Sequence, residues 1–208
     1  MTQYLNKIVL AFILSFSAPV FAGEFSFVEG ALSFIAQVTK KAPTTTHQVL
    51  VEEVYTQSIR KGLDPTFVLG MVMQESTFNR NASSFAGAKG FMQVIPRYHR
   101  EKIQGRNILD TRTNIDVGTS VLQEYLSTSR NLQQATRRYS GGANNYYQKV
   151  ARHQSSIKRH IHQVKLTPAG TPMPEQVLPK VKSRIIQIKH TPNQSDPIKG
   201  LLAMKGIY

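Results

Sequence analysis

Between Thr45 and Gln163 no convincing run alternates polar and apolar residues as a strand would, whereas apolar residues recur at three-to-four spacing. That pattern predicts helix-on-helix packing. In THQVLVEEVYTQSIRKG, Val51, Val54, Tyr55 and Ile59 follow the spacing from a start near Thr45 or Thr46. Arg60 and Lys61 followed by Gly62 are stop signals. In LDPTFVLGMVMQES, Asp64 is the expected N-cap and Pro65 the first helical residue. The Asn-, Ser- and Gly-rich TFNRNASSFAGAKG predicts a loop, and FMQVIPRYHREKI a short helix interrupted at Pro96. TNIDVGTSVLQEYLSTSR predicts an amphipathic helix with Ile115, Val121, Leu122, Tyr125 and Leu126 on one face. NLQQATRRYSGG predicts a short helix ended by Gly141 and Gly142, and ANNYYQKVARHQSSIKRHIHQ completes the set. The expected domain is mainly α and compact, with about 120 residues, enough for one core.

The flanks differ from this domain. Residues 1–22 carry Lys7, an apolar run from Ile8 to Phe16, and Val20-Phe21-Ala22 with small residues at the cleavage-specifying positions. They read as a secretory signal peptide cut after Ala22, the run being short for a span of about 20 residues. No stable membrane span is expected after processing. Residues 23–44 are expected to be an N-terminal tether, although GALSFIAQVTKK also suits a short helix. Residues 45–163 form the predicted helical domain. From residue 164 the chain changes character: Pro168, Pro172, Pro174 and Pro179 predict an extended linker, and KVKSRIIQIKH follows. Residues 164–208 are expected to be a flexible Pro-rich basic tail.

With 26 Lys and Arg against 12 Asp and Glu, the formal net charge is +14. Such a chain is drawn to polyanions: nucleic acid, anionic lipid or acidic cell-wall polymers. Export argues against nucleic acid as the main partner. The positive residues also spread from Arg60 to Lys205 rather than gathering in one motif. The chain has no cysteine, which excludes disulfides and thiolate metal sites. His160 and His162 lie two apart, on different helix faces, so no metal and no cofactor is expected.

Glu75 is the residue most in need of an explanation. Val68, Met71 and Val72 precede it by seven, four and three positions, which puts all four on one helix face. The acid therefore points toward the buried side. It also sits near a helix C-terminus, where the macrodipole disfavours negative charge. Desolvation and dipole both predict a raised pKa, which suits a general acid. An exposed last-turn Glu is the structural alternative. Downstream, Gly87 and Gly90 allow close backbone approach, and Gln93 puts a donor–acceptor pair beside Met92.

Taken together, ES with FN after it, GAKGFMQVIP, NIDVGTSVLQEYL and RRYSGGANNYYQKV resemble, in order and spacing, the soluble lytic transglycosylases over about residues 45–155. The resemblance implies a lysozyme-like, goose-type helical domain. It implies Glu75 as the catalytic acid and base, and Ser84 as a residue orienting the sugar acetamido group or the acid. Met92 and Gln93 would line the glycan groove, and Tyr139 would hydrogen-bond near the acid. One departure stands out: where the family usually has Asn after that Tyr, this chain has Ser140, a shorter side chain.

The implied reaction cleaves the β-1,4 bond between N-acetylmuramic acid and N-acetylglucosamine in peptidoglycan. Glu75 protonates the leaving oxygen and then takes the proton of the muramyl C6 hydroxyl, which attacks C1 to give a 1,6-anhydro product. A two-carboxylate glycosidase needs a second acid flanking the bond. Glu101 sits among Arg97, Arg100 and Lys102, and Asp110 is expected to cap or turn into the next helix, so neither is an obvious partner. Competing readings are a hydrolytic muramidase, a non-catalytic peptidoglycan-binding scaffold, and a basic membrane-active protein. With the export expected from the signal peptide, the resemblance also implies a periplasmic enzyme. It further implies a tail that docks a secretion, conjugation or flagellar machine, or the wall itself.

Overall fold

The computed structural model describes residues 26–166. The expected leader, its cleavage site and the tail from residue 167 onward lie outside the described residues. Within them the chain forms seven α-helices and one 3-10 turn: α1 (26–39), α2 (Thr45–Arg60), α3 (Pro65–Ser76), the turn Pro96–Tyr98, α4 (Arg100–Ile103), α5 (Thr111–Ser127), α6 (Leu132–Tyr139) and α7 (Tyr146–Leu166). Only isolated bridges, Ser83 with Lys89 and Lys89 with Val94, interrupt the helical pattern among the described residues. The fold is mainly α.

Local chemistry sets most boundaries. Thr44 caps α2 in a reciprocal capping box with His47. The Asp64 side chain accepts from Thr66 N at 2.8 Å, with Pro65 in the first turn of α3. Asp110 accepts from Thr113 N at 3.0 Å and Asn131 from Gln134 N at 2.9 Å, opening α5 and α6.

Three expectations need correction. Residues 26–39 are not a tether: they form a helix that buries Phe27, Val28, Leu32, Phe34 and Ile35. Burying one such side chain is worth roughly 1.5–3 kcal/mol, which together with the helix's own backbone hydrogen bonds opposes the entropy of leaving this segment loose. Phe27 meets the ring of Tyr55, and Phe34 meets Phe78 and His160, which ties α1 to α2, α7 and the loop after α3. The inner face of α2 also differs from the one expected. Leu50, Val51, Val54, Gln57 and Ser58 are buried, while Ile59 is 59% exposed. Gln57 tolerates burial because Glu53 accepts from its amide and Lys61 Nζ donates to its carbonyl.

The most extensive helix pairs in the core are α3 with α7 and α2 with α5. Helices α3 and α7 run antiparallel. Lys158 and Gln154 reach Asp64 at the start of α3, and Tyr146 reaches Glu75 at its end. Gly70 makes the close approach possible: a Cβ there would lie 3.1 Å from Val150 O and 3.2 Å from Gln154 N. The expected short helix beginning at Phe91 is absent. Residues 91–95 turn sharply, with Gln93 at φ 48°, before the 3-10 turn at Pro96.

Candidate functional site

Glu75 lies in the last turn of α3, which stops because Thr77 and Phe78 both adopt left-handed backbone (φ 49° and 62°). Each such residue costs about 1–2 kcal/mol. Burial of Phe78 against Phe34 offsets that cost. Val68, Met71 and Val72 on the same helix are fully buried, and the Glu75 carboxyl is largely withdrawn from solvent. Burial pushes its pKa up, and a hydrogen bond from Tyr146 pulls in the opposite direction with less weight. That bond, from Tyr146 Oη to Glu75 Oε1, spans 2.5 Å. Tyr146 is itself buried, at the first position of α7. Burial and the neighbouring carboxyl hold its phenol well above the usual range, so it remains a donor. With Oε1 accepting from Tyr146, Oε2 is the oxygen left to carry the proton of the neutral acid.

The wall opposite is the segment 82–95, and α5 holds it. Buried Asn114 accepts from Met92 N at 2.8 Å and donates to Lys89 O at 3.0 Å and Ile108 O at 2.9 Å. Gly90 (φ 76°) lies so close to Asn114 that a Cβ would sit 2.3 Å from its Nδ2. One turn on, a Cβ at Gly118 would sit 2.7 Å from Met92 Cβ. The Gly-rich loop and the N…G helix quoted from the sequence are thus two halves of one clamp.

The predicted residues divide accordingly. Ser84 borders the cleft with Glu75, and its Oγ accepts from Ala88 N at 3.1 Å. Gln93 also borders it, with Nε2 donating to Ala82 O and Gly90 O, so its amide donors brace the loop. Met92 requires correction: its side chain is fully buried against Gly118, and it supplies the site only through its backbone. Tyr139 donates to the carbonyl of Met92 at 2.9 Å rather than to the acid. Its phenol is pushed well above the usual range by burial and then by the charge of Glu75. Ser140 lines the cleft, and its hydroxyl donates to Arg137 O at 3.0 Å. Tyr146, Asn114 and Gly118 received no role from sequence reasoning. All three stand within the quoted motifs, but no spacing rule connects Tyr146 to Glu75.

The cleft holds about 480 Å³. Glu75 is its single carboxylate among the described residues. Glu101 is exposed and paired with Lys102, which also holds Glu124. Asp110 caps α5, and Asp116 is engaged by Lys61 and Arg106. Both aspartates are held below the usual carboxylate range, although burial alone would raise Asp116. The described residues contain no cluster of three or more His, Asp or Glu side chains placed to hold a metal. None of their helices is long and apolar enough to cross a membrane.

Comparison with known proteins identifies the family of the chain. The family model of the transglycosylase SLT domain matches residues 54–162. A membrane-bound lytic murein transglycosylase C from Mannheimia succiniciproducens is 38% identical, with 34% of this chain and 24% of the relative covered. A transglycosylase of Enterobacteria phage PRD1 is 30% identical, with 53% of this chain and 42% of the relative covered. An inactive mutant of the lytic transglycosylase Slt from Pseudomonas aeruginosa superposes with a TM-score of 0.44 at 16% identity, over 55% of this chain and 24% of that one. The chain thus spans from about a quarter to less than half of the length of these curated relatives.

Proposed function

The chain belongs to the transglycosylase SLT domain family, and from that premise we propose that it is a lytic transglycosylase of peptidoglycan. It cleaves the β-1,4 bond between N-acetylmuramic acid and N-acetylglucosamine and releases 1,6-anhydro muropeptides. The observation that carries this reading is Glu75, the single carboxylate of the cleft among the described residues, desolvated and held by Tyr146.

In this mechanism the neutral Glu75 protonates the leaving oxygen from Oε2. As the glycosidic bond breaks, the carboxylate so formed is stabilised by the hydrogen bond from Tyr146. It then accepts the proton of the muramyl C6 hydroxyl as that oxygen closes on C1. A hydroxyl tethered to the substrate needs no second acid to orient it, because binding has already supplied the orientation. Carboxylate separations of the kind used by two-acid glycosidases have no counterpart in this cleft.

The proposed catalytic unit begins with α1 and continues to the end of the helical domain, because α1 is part of the same core. The leader-like sequence supports an exported, periplasmic protein. The Pro-rich basic tail supports local wall opening beside an envelope-spanning machine. Digestion of purified sacculi followed by mass spectrometry tests the chemistry. The proposal expects products one water lighter than those of a hydrolase. Hydrated reducing ends alone would replace it with a muramidase, and binding without release would leave a scaffold.

A further inference from the structure

Arg138 is the one permanently cationic side chain that lines the cleft among the described residues. His99 also borders it, but burial lowers its pKa and favours the neutral ring. The Arg138 guanidinium lies 4.6 Å from the ring centre of Tyr125, another cleft residue. Its Nη1 donates to Thr128 Oγ1 at 2.6 Å, with Ser129 Oγ at 3.5 Å. These contacts hold the planar group in place on one side. Its other N–H groups have no protein acceptor among the described residues, and no carboxylate there pairs with it.

A guanidinium fixed by an aromatic ring and a hydroxyl, yet without a counter-ion, keeps donors available for a planar anion. It does not serve the acid: burial and Tyr146 are the influences on Glu75. Nor is a cation at the C-terminus of α6 missing without it, since Arg137 occupies the same last turn.

We propose that Arg138 is a carboxylate-recognition residue of the cleft, pairing with the acid carried on the 3-O-lactyl arm of muramic acid. The acid is either the free lactyl group of a stem-free strand or a carboxylate of the attached peptide. The assignment rests on the reading of the cleft as a muramyl-glycan site. It makes Arg138 a specificity residue acting at binding.

The test is calorimetric binding of three soluble N-acetylglucosaminyl-muramyl ligands to the full chain. They carry a free lactyl acid, a lactyl methylamide and a peptide stem. Each is measured with the wild type, Arg138→Gln and Arg138→Lys, after circular dichroism has established that the variants are folded. Wild type is expected to bind at least one acid-bearing ligand roughly tenfold more tightly than the neutral amide. Arg138→Gln should bring that ratio to about one, and Arg138→Lys should restore part of it. Whichever acid shows the preference identifies its source. Equal affinity for acids and amide in the wild type overturns the proposal. So does a ratio unchanged by Arg138→Gln, or no binding of any of the three. Sacculus digestion by the wild type reports separately on the proposed catalytic function. Digestion without an Arg138-dependent preference refutes this inference alone, whereas Arg138-dependent binding without digestion refutes only the catalytic reading.

Discussion

The Tyr146 hydroxyl and the Glu75 carboxyl, 71 positions apart in the chain, meet at 2.5 Å where α7 begins and α3 ends. The bond works against desolvation. It keeps the pKa of Glu75 from rising as far as burial alone would take it. In the proposed mechanism the acid donates a proton and later accepts one, and two opposed influences suit both steps.

Removing the donor with Tyr146→Phe should therefore raise the pKa of Glu75 further. In the proposed mechanism muropeptide release depends on the protonated acid at high pH, so the alkaline limb of its pH–rate profile should move upward. The rate should also fall about tenfold, the equivalent of one hydrogen bond to the developing carboxylate. A profile superimposable on wild type would show that Tyr146 does not tune the acid.

Glu75→Gln should abolish most turnover, by roughly a hundredfold to ten-thousandfold, while raising stability at neutral pH. A carboxyl whose folded pKa is raised binds its proton more tightly in the native state. Its stabilising effect is present at low pH and is lost as pH rises from the ordinary carboxylate value through the folded one. The amide does not titrate, so thermal unfolding should favour the variant at pH 7, and the gap should close toward pH 4. A gap that widened on acidification would contradict a raised pKa.

Asn114→Ala should cost about 3 kcal/mol, because it leaves the buried amide of Met92 and the carbonyl of Ile108 without their partner and takes one of its two donors from the carbonyl of Lys89. Urea unfolding should show a lower midpoint at nearly unchanged slope. The variant should also lose activity, since the same side chain positions the loop bearing Gln93. Wild-type stability would mean that the loop is held by other contacts.

Gly70→Ala adds a methyl group between α3 and the backbone of α7, at 3.1 Å from Val150 O. Overpacking of this kind costs about 1–3 kcal/mol. Because backbone atoms must shift, the start of α7 should move relative to Glu75. Activity measured well below the melting temperature should therefore fall as well. Full activity in a destabilised variant would show that the displacement does not reach Tyr146.

Most helix boundaries were legible in the sequence, because caps and stops act over three or four residues. Asp64 with Pro65, Asp110, and Gly141 with Gly142 each mark an end. The inward aim of Glu75 was equally legible, since Val68, Met71 and Val72 set its face by helical geometry alone. Residues 26–39 were harder to read, because whether a short apolar segment docks depends on an opposing surface. Tyr55, Phe78 and His160 supply that surface from distant positions. Met92 was misplaced for a related reason. An apolar side chain beside a polar one suits a groove or a core equally well, and the absence of a side chain at Gly118 draws it inward.

The sequence by itself determined helices α2, α3, α5 and α6, the caps at Asp64 and Asp110 and the acid's orientation, for these rest on interactions within one or two turns of chain. Tertiary structure alone decided that Tyr146 holds Glu75 while Tyr139 holds Met92. It also decided that Arg138 lines the cleft on the ring of Tyr125. Two tyrosines seven residues apart look alike in a string of letters. Only the packing of α7 along α3, and of α6 against α5, distinguishes which hydroxyl reaches the acid.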